Sequence, residues 1–112
     1  PMFDARRMEV YAAVYDQELN NLMPTEAVVV ESDSFDSFLS ENKVSFFGPG
    51  AEKCQAIIHH ENANFDIDIK VSAQGMASIG EEMYQNQEFV DVAYFEPYYL
   101  KDFIAGKPKK MF

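Results

Sequence analysis

Apolar residues follow two regimes along the chain. Up to Val30 they form β-branched and aromatic runs broken by short polar turns; beyond Ser32 they recur at helical spacing between short runs. Met2–Ala5 and Glu9–Tyr15 read as strands joined by a tight polar turn at Arg6 and Arg7. Thr25–Val30, with its Val28, Val29 and Val30 run, reads as a third strand after a turn over Asp16–Asn21. Connections this short join only antiparallel neighbours, so the three predict a meander. In SDSFDSFLSEN, Ser and Asp caps precede Phe35, Phe38 and Leu39, whose spacing marks one face of a short helix. Val44–Phe47 is apolar without alternation, which predicts a strand covered on both faces, and Gly48-Pro49-Gly50 ends it. A helix follows with Ala51, Cys54, Ile57 and Ile58 in one stripe. NFDIDIK then alternates, placing Phe65, Ile67 and Ile69 inward and Asp66 and Asp68 in water. Ser72 stands ready to cap a longer helix that carries Ala73, Met76, Ala77, Gly80, Met83 and Tyr84 on one face. The small members of that face suit close packing on a sheet, with Glu81 and Glu82 opposite.

Three antiparallel strands followed by β-α-β-α units predict an α/β domain with a mixed sheet, the arrangement of ribonuclease-H-like and actin-like lobes. That scaffold hosts nucleases, sugar kinases and chaperone ATPases, so it names no activity. A chain of 112 residues holds one core, and residues 1–112 are expected to form a single domain. No apolar run approaches the roughly 20 residues that cross a membrane. Cys54 is the sole cysteine, which excludes an internal disulfide and fits a reducing, cytoplasmic setting. The net charge of −10 disfavours a broad grip on phosphate backbones. Cations gather at the ends, Arg6 and Arg7 in front and Lys101, Lys107, Lys109 and Lys110 behind, so the body is strongly acidic. Such a body is either a solvated surface or the complement of a basic partner. Residues 104–112 read as a flexible basic tail.

Candidate chemistry is sparse. His59 and His60 are adjacent, point about 100° apart on a helix, and so do not chelate one ion; no metal site is expected from them. Asp66 and Asp68 share a strand face that suits magnesium, and equally suit the wet half of an alternating strand. Cys54 lies on an apolar stripe, the place of a core residue rather than a nucleophile. Gly48, Gly50 and Ala51 form the one loop where amides at a helix start can meet a nucleotide, although Pro49 removes a donor. VAYFEPYYLKDF sets Tyr94, Phe95, Tyr98, Tyr99 and Phe103 around Pro97, rings that either close this core or cover another module. At the first turn, Glu9 or Asp4 is placed to pair with Arg6 or Arg7.

Three of these patterns occur in a telling order. Asp4-Ala5-Arg6-Arg7-Met8-Glu9-Val10-Tyr11, Gly48-Pro49-Gly50-Ala51 and Glu96-Pro97-Tyr98-Tyr99-Leu100-Lys101 resemble the D-A-R-x-x-E-V-Y, G-x-G and E-P-x-Y-L-R/K signatures of the TsaB family, also called YeaZ. The first and last are specific and the middle one generic. The resemblance implies the second of two actin-like lobes, the first being absent from this stretch. It implies a non-catalytic subunit supporting a TsaD-like catalytic subunit and a TsaE-like ATPase in making N6-threonylcarbamoyladenosine in tRNA. It further implies a possible homodimer, at most indirect tRNA contact and no membrane. ATP, magnesium and metal would belong to the partners, with no catalytic residue and no cofactor in this lobe. Asp4, Arg6, Arg7, Glu9, Tyr11, Glu96, Pro97, Tyr99, Leu100 and Lys101 would serve structure or partner docking. The rival expectations are an actin-like phosphotransferase lobe, with adenosine at Gly48–Ala51 and magnesium at Asp66 or Asp68, and a free-standing interaction module.

Overall fold

A computed structural model describes residues 1–101; Phe103 and the expected basic tail lie outside them. The chain is mixed α/β. Strands β1 (Met2–Asp4), β2 (Glu9–Tyr15) and β3 (Asn21–Val29) form an antiparallel sheet in that order, and β4 (Val44–Phe47) pairs in parallel with β5 (Ala63–Asp66). Helix α1 (Asp36–Leu39) links the sheets, and α2 (Ala51–Gln55) is the crossover between the parallel strands. A 3-10 turn, Ala73–Met76, leads into α3 (Ala77–Gln85).

The meander forms as its pattern predicts. Val10 and Ala12 of β2 are buried while Tyr15 on the other face is exposed, the period-two alternation of a half-covered strand. β3 begins earlier than the apolar run suggests. Its register slips between Ala12↔Glu26 and Val14↔Met23. The bulge falls at Pro24 and Thr25, where a residue without an N–H costs no ladder bond.

The core lies between the inner face of the meander, the parallel pair and the two short helices. Phe46 is its hinge, meeting Phe35 edge-on at 5.4 Å and stacking on Phe65 at 4.9 Å. Leu39, Ala51, Cys54 and Ile58 fill the remainder. β4 is covered on one face, not both, because Ser45 is exposed opposite Phe46.

The strands form two sheets rather than the expected single mixed one. They meet at one point, where the Gly50 N–H donates to Met2 O at 3.0 Å. Gly48 turns the chain there with φ of 98°, and a Cβ on it would sit 2.5 Å from Met2 O. β1 is three residues long and β4 bends away at that glycine, so no ladder develops between them.

Other departures have local causes. α1 has Phe35, not Ser or Asp, at its N-cap; Ser34 Oγ instead accepts the Glu31 N–H at 2.7 Å, tying the preceding loop. α2 ends at Gln55, before His59 and His60. β5 ends at Asp66, and Ile67 and Ile69 are exposed rather than turned inward. Ser72 does cap the next turn, accepting the Gln74 N–H at 3.2 Å. The helix face carrying Met76, Gly80 and Met83 nevertheless lies on no sheet of the described residues and is exposed. The radius of gyration, 17.5 Å, accordingly exceeds the roughly 13 Å of a compact chain this long.

Candidate functional site

The β1–β2 turn concentrates the chain's unusual geometry. Arg6 and Arg7 have φ of 71° and 49°, left-handed values that cost a residue with a Cβ about 1–2 kcal/mol each. Their surroundings impose them. Asp4 Oδ1 accepts the Arg6 N–H at 2.7 Å, and Arg6 O accepts the Glu9 N–H at 3.1 Å. The decisive tie comes from α2. Lys53 Nζ donates to Asp4 Oδ1 at 2.6 Å, Arg7 O at 2.7 Å and Glu9 O at 2.6 Å. All three ammonium protons are thereby engaged, and the turn is clamped to a helix 44 or more residues away. The Lys53 hydrogen bond, followed by the Arg6 amide, holds the Asp4 carboxyl below its ordinary pKa.

The arginines therefore pair with neither Asp4 nor Glu9. Asp4 goes to Lys53 and Glu9 to Lys101, so both guanidinium groups are exposed and, among the described residues, outside any salt bridge. A clamped backbone aims two cations outward on an otherwise acidic chain.

Lys101 Nζ meets Glu9 Oε2 at 2.6 Å, a half-exposed pair worth about 0–1 kcal/mol. It has positional meaning all the same: it seats the Glu96–Lys101 stretch over the outer face of the meander. Between them lies an open cleft of about 550 Å³, walled by Phe3, Tyr11 and Tyr15 on the sheet and by Tyr99, Leu100 and Lys101 across from it. Glu96 and Pro97 are exposed beyond its end, and Tyr98 and Tyr99 keep most of their surface in water. Rings on two walls with an ion pair at the edge suit an apolar or aromatic group entering from another molecule.

No family model matches the chain, and neither a curated protein nor a solved structure matches it. The site thus rests on its own geometry.

The remaining candidates are placed apart from this cleft. At the glycine loop, the Gly50 N–H is taken by Met2 O and the Ala51 N–H by Gly48 O, both at 3.0 Å. A Cβ on Gly50 would come within 2.9 Å of the Phe3 carbonyl carbon, so both glycines are explained by the approach of β1. Cys54 is buried with its Sγ 3.3 Å from Gly50 O, and burial raises its thiol pKa, which withholds the thiolate. Asp66 is exposed and accepts the Asp68 N–H at 3.3 Å. His59 Nε2 lies 3.0 Å from Ala56 O, and His60 Nδ1 accepts the Asn62 N–H at 3.0 Å. Among the described residues, no three His, Cys, Asp or Glu side chains converge on a metal position. Lys53, which clamps the β1–β2 turn, is the residue of this region that the pattern along the chain does not reveal; its only signal is a cation one turn after the glycine loop.

Proposed function

We propose that the chain is the second, actin-like lobe of a TsaB-like subunit, a non-catalytic scaffold supporting a TsaD-like enzyme in tRNA threonylcarbamoylation. The observation that carries this reading is the Glu9–Lys101 pair. Glu9 and Lys101, one from each of the two specific motifs, lie 92 residues apart in sequence and form an ion pair. Tyr11, Tyr99 and Leu100, from the same two motifs, line the cleft beside it. Residues that share a signature have reason to do so if they build one surface.

In bacteria depleted of TsaB, a TsaB whose second lobe is exchanged for residues 1–112 is expected to restore threonylcarbamoyladenosine, measured by mass spectrometry of tRNA nucleosides. A soluble, folded exchange protein that leaves the nucleoside absent overturns the assignment.

A further inference from the structure

We propose that α3 and the chain flanking it form a docking surface for another protein whose contact face is apolar at its centre and rimmed by Lys and Arg. Met76, at the N-cap of α3, and Ile79 and Met83 on the helix fall on one side at i, i+3 and i+7 and are all exposed. Gln87, in the left-handed region with φ of 57°, then reverses the chain: its N–H donates to Tyr84 O and that of Glu88 to Met83 O. This C-terminal motif satisfies the last carbonyls of the helix. The reversal sets Phe89 edge-on to Tyr84 at 5.8 Å, which widens the apolar side of the helix. Two methionines in such a face adapt readily to a partner's contours. A Cβ on Gly80, in the middle of that side, meets nothing within 4 Å, so no contact within the described chain calls for a glycine there.

The charge around the patch selects the partner. With Ile79 and Tyr84 at the two edges of the apolar side, Glu82 and Glu81 border it about 60° farther round the helix rather than standing diametrically opposite, Glu88 follows in the reversal, and Lys70 is the only cation of residues 67–99. A second copy would bring acidic rim against acidic rim on chains of net charge −10, an arrangement that costs affinity. A basic-rimmed surface gains from the same charges. The surface is distinct from the Glu9–Lys101 cleft and does not rest on the TsaB reading.

The test uses the whole chain and a fluorescent amphipathic helical peptide with one Leu/Met face, made with a Lys/Arg rim, a Ser rim or a Glu rim. Anisotropy titration is expected to show the Lys/Arg form binding at least about tenfold more tightly than the Ser form and weakening between about 0.05 and 0.3 M salt. Ile79→Gln/Met83→Gln leaves the net charge unchanged, and Glu81→Gln/Glu82→Gln leaves the apolar face intact; each is expected to weaken binding by about tenfold. Circular dichroism checks that both variants keep the wild-type fold. Equal binding of the Ser and Lys/Arg forms overturns the proposal, as does a failure of every form to bind. Undiminished binding to Ile79→Gln/Met83→Gln overturns it in favour of bulk attraction. Sedimentation of the chain as a dimer at micromolar concentration overturns it in favour of a second copy.

Discussion

Residues up to Asp66 and residues 67–101 are similarly rich in apolar side chains, yet they meet opposite fates. Val10 is fully buried and Val92 is 91% exposed; Ile58 is 2% exposed and Ile79 60%. Hydrophobicity alone therefore does not decide burial. In the first region the inner apolar face has an opposing one within the same stretch: Val10 and Ala12 of β2 share the core with Leu39 of α1 and with Ala51 and Cys54 of α2, and Phe46 packs on both Phe35 and Phe65. In the second region α3 continues from a 3-10 turn capped by Ser72 and has a satisfied C-terminus, while its apolar side lacks a counterpart among the described residues. Local signals build a helix; only a second surface buries it.

The sharpest way to break this contrast is to make one substitution in both regions. Phe46→Ala removes a ring packed against two others and is expected to cost about 3–5 kcal/mol. Phe89→Ala, at a ring 67% exposed, is expected to change stability by no more than about 0.5 kcal/mol. Urea denaturation of the two variants reads the difference, and equal costs would mean that the second region is packed as firmly as the first.

Glycine sharpens the contrast next. Gly48→Ala drives a Cβ onto Met2 O in a left-handed backbone and is expected to cost at least about 1–3 kcal/mol. Gly80→Ala meets nothing and is expected to stabilise α3 by up to about 1 kcal/mol, seen as increased helical ellipticity.

Within the first region, the smallest expected effect concerns the clamp. Lys53→Met is expected to cost about 1–2 kcal/mol, the range for hydrogen bonds to a charged donor discounted for partial exposure. The Asp4 pKa is lowered in the folded chain, so the unfolded chain binds that proton more readily. The contribution of Asp4 is fully present above about pH 4 and is lost as the pH falls through the lowered value. The gap between the urea midpoints of wild type and Lys53→Met is expected to narrow below about pH 4. A gap independent of pH would remove Asp4 from the clamp.

The same contrast sets how far the pattern along the chain could be read. β2 and β4 have the predicted bounds because alternation, or a short apolar run closed by glycine, is a local property. Ser72 is likewise a local cap and was legible. β3 extends back past Pro24 to Asn21 because a bulge accommodates the proline, and a bulge depends on the partner's register, which the apolar run from Thr25 does not carry. Ile67 and Ile69 alternate correctly and are exposed all the same, since alternation specifies two faces without supplying a cover for either. At the candidate site, the motif residues were visible in the sequence, but their pairing was not. Asp4 and Glu9 lie next to two arginines in sequence and bond to two distant lysines in space.

Cys54 has a practical consequence. It is the chain's only sulfhydryl, it sits among the most deeply buried side chains, and its suppressed ionisation keeps it inert in the closed state. Labelling by a water-soluble disulfide reagent is therefore gated by opening of the Phe46 core. The native chain carries its own unengineered clock for that opening, insensitive to whatever happens along α3.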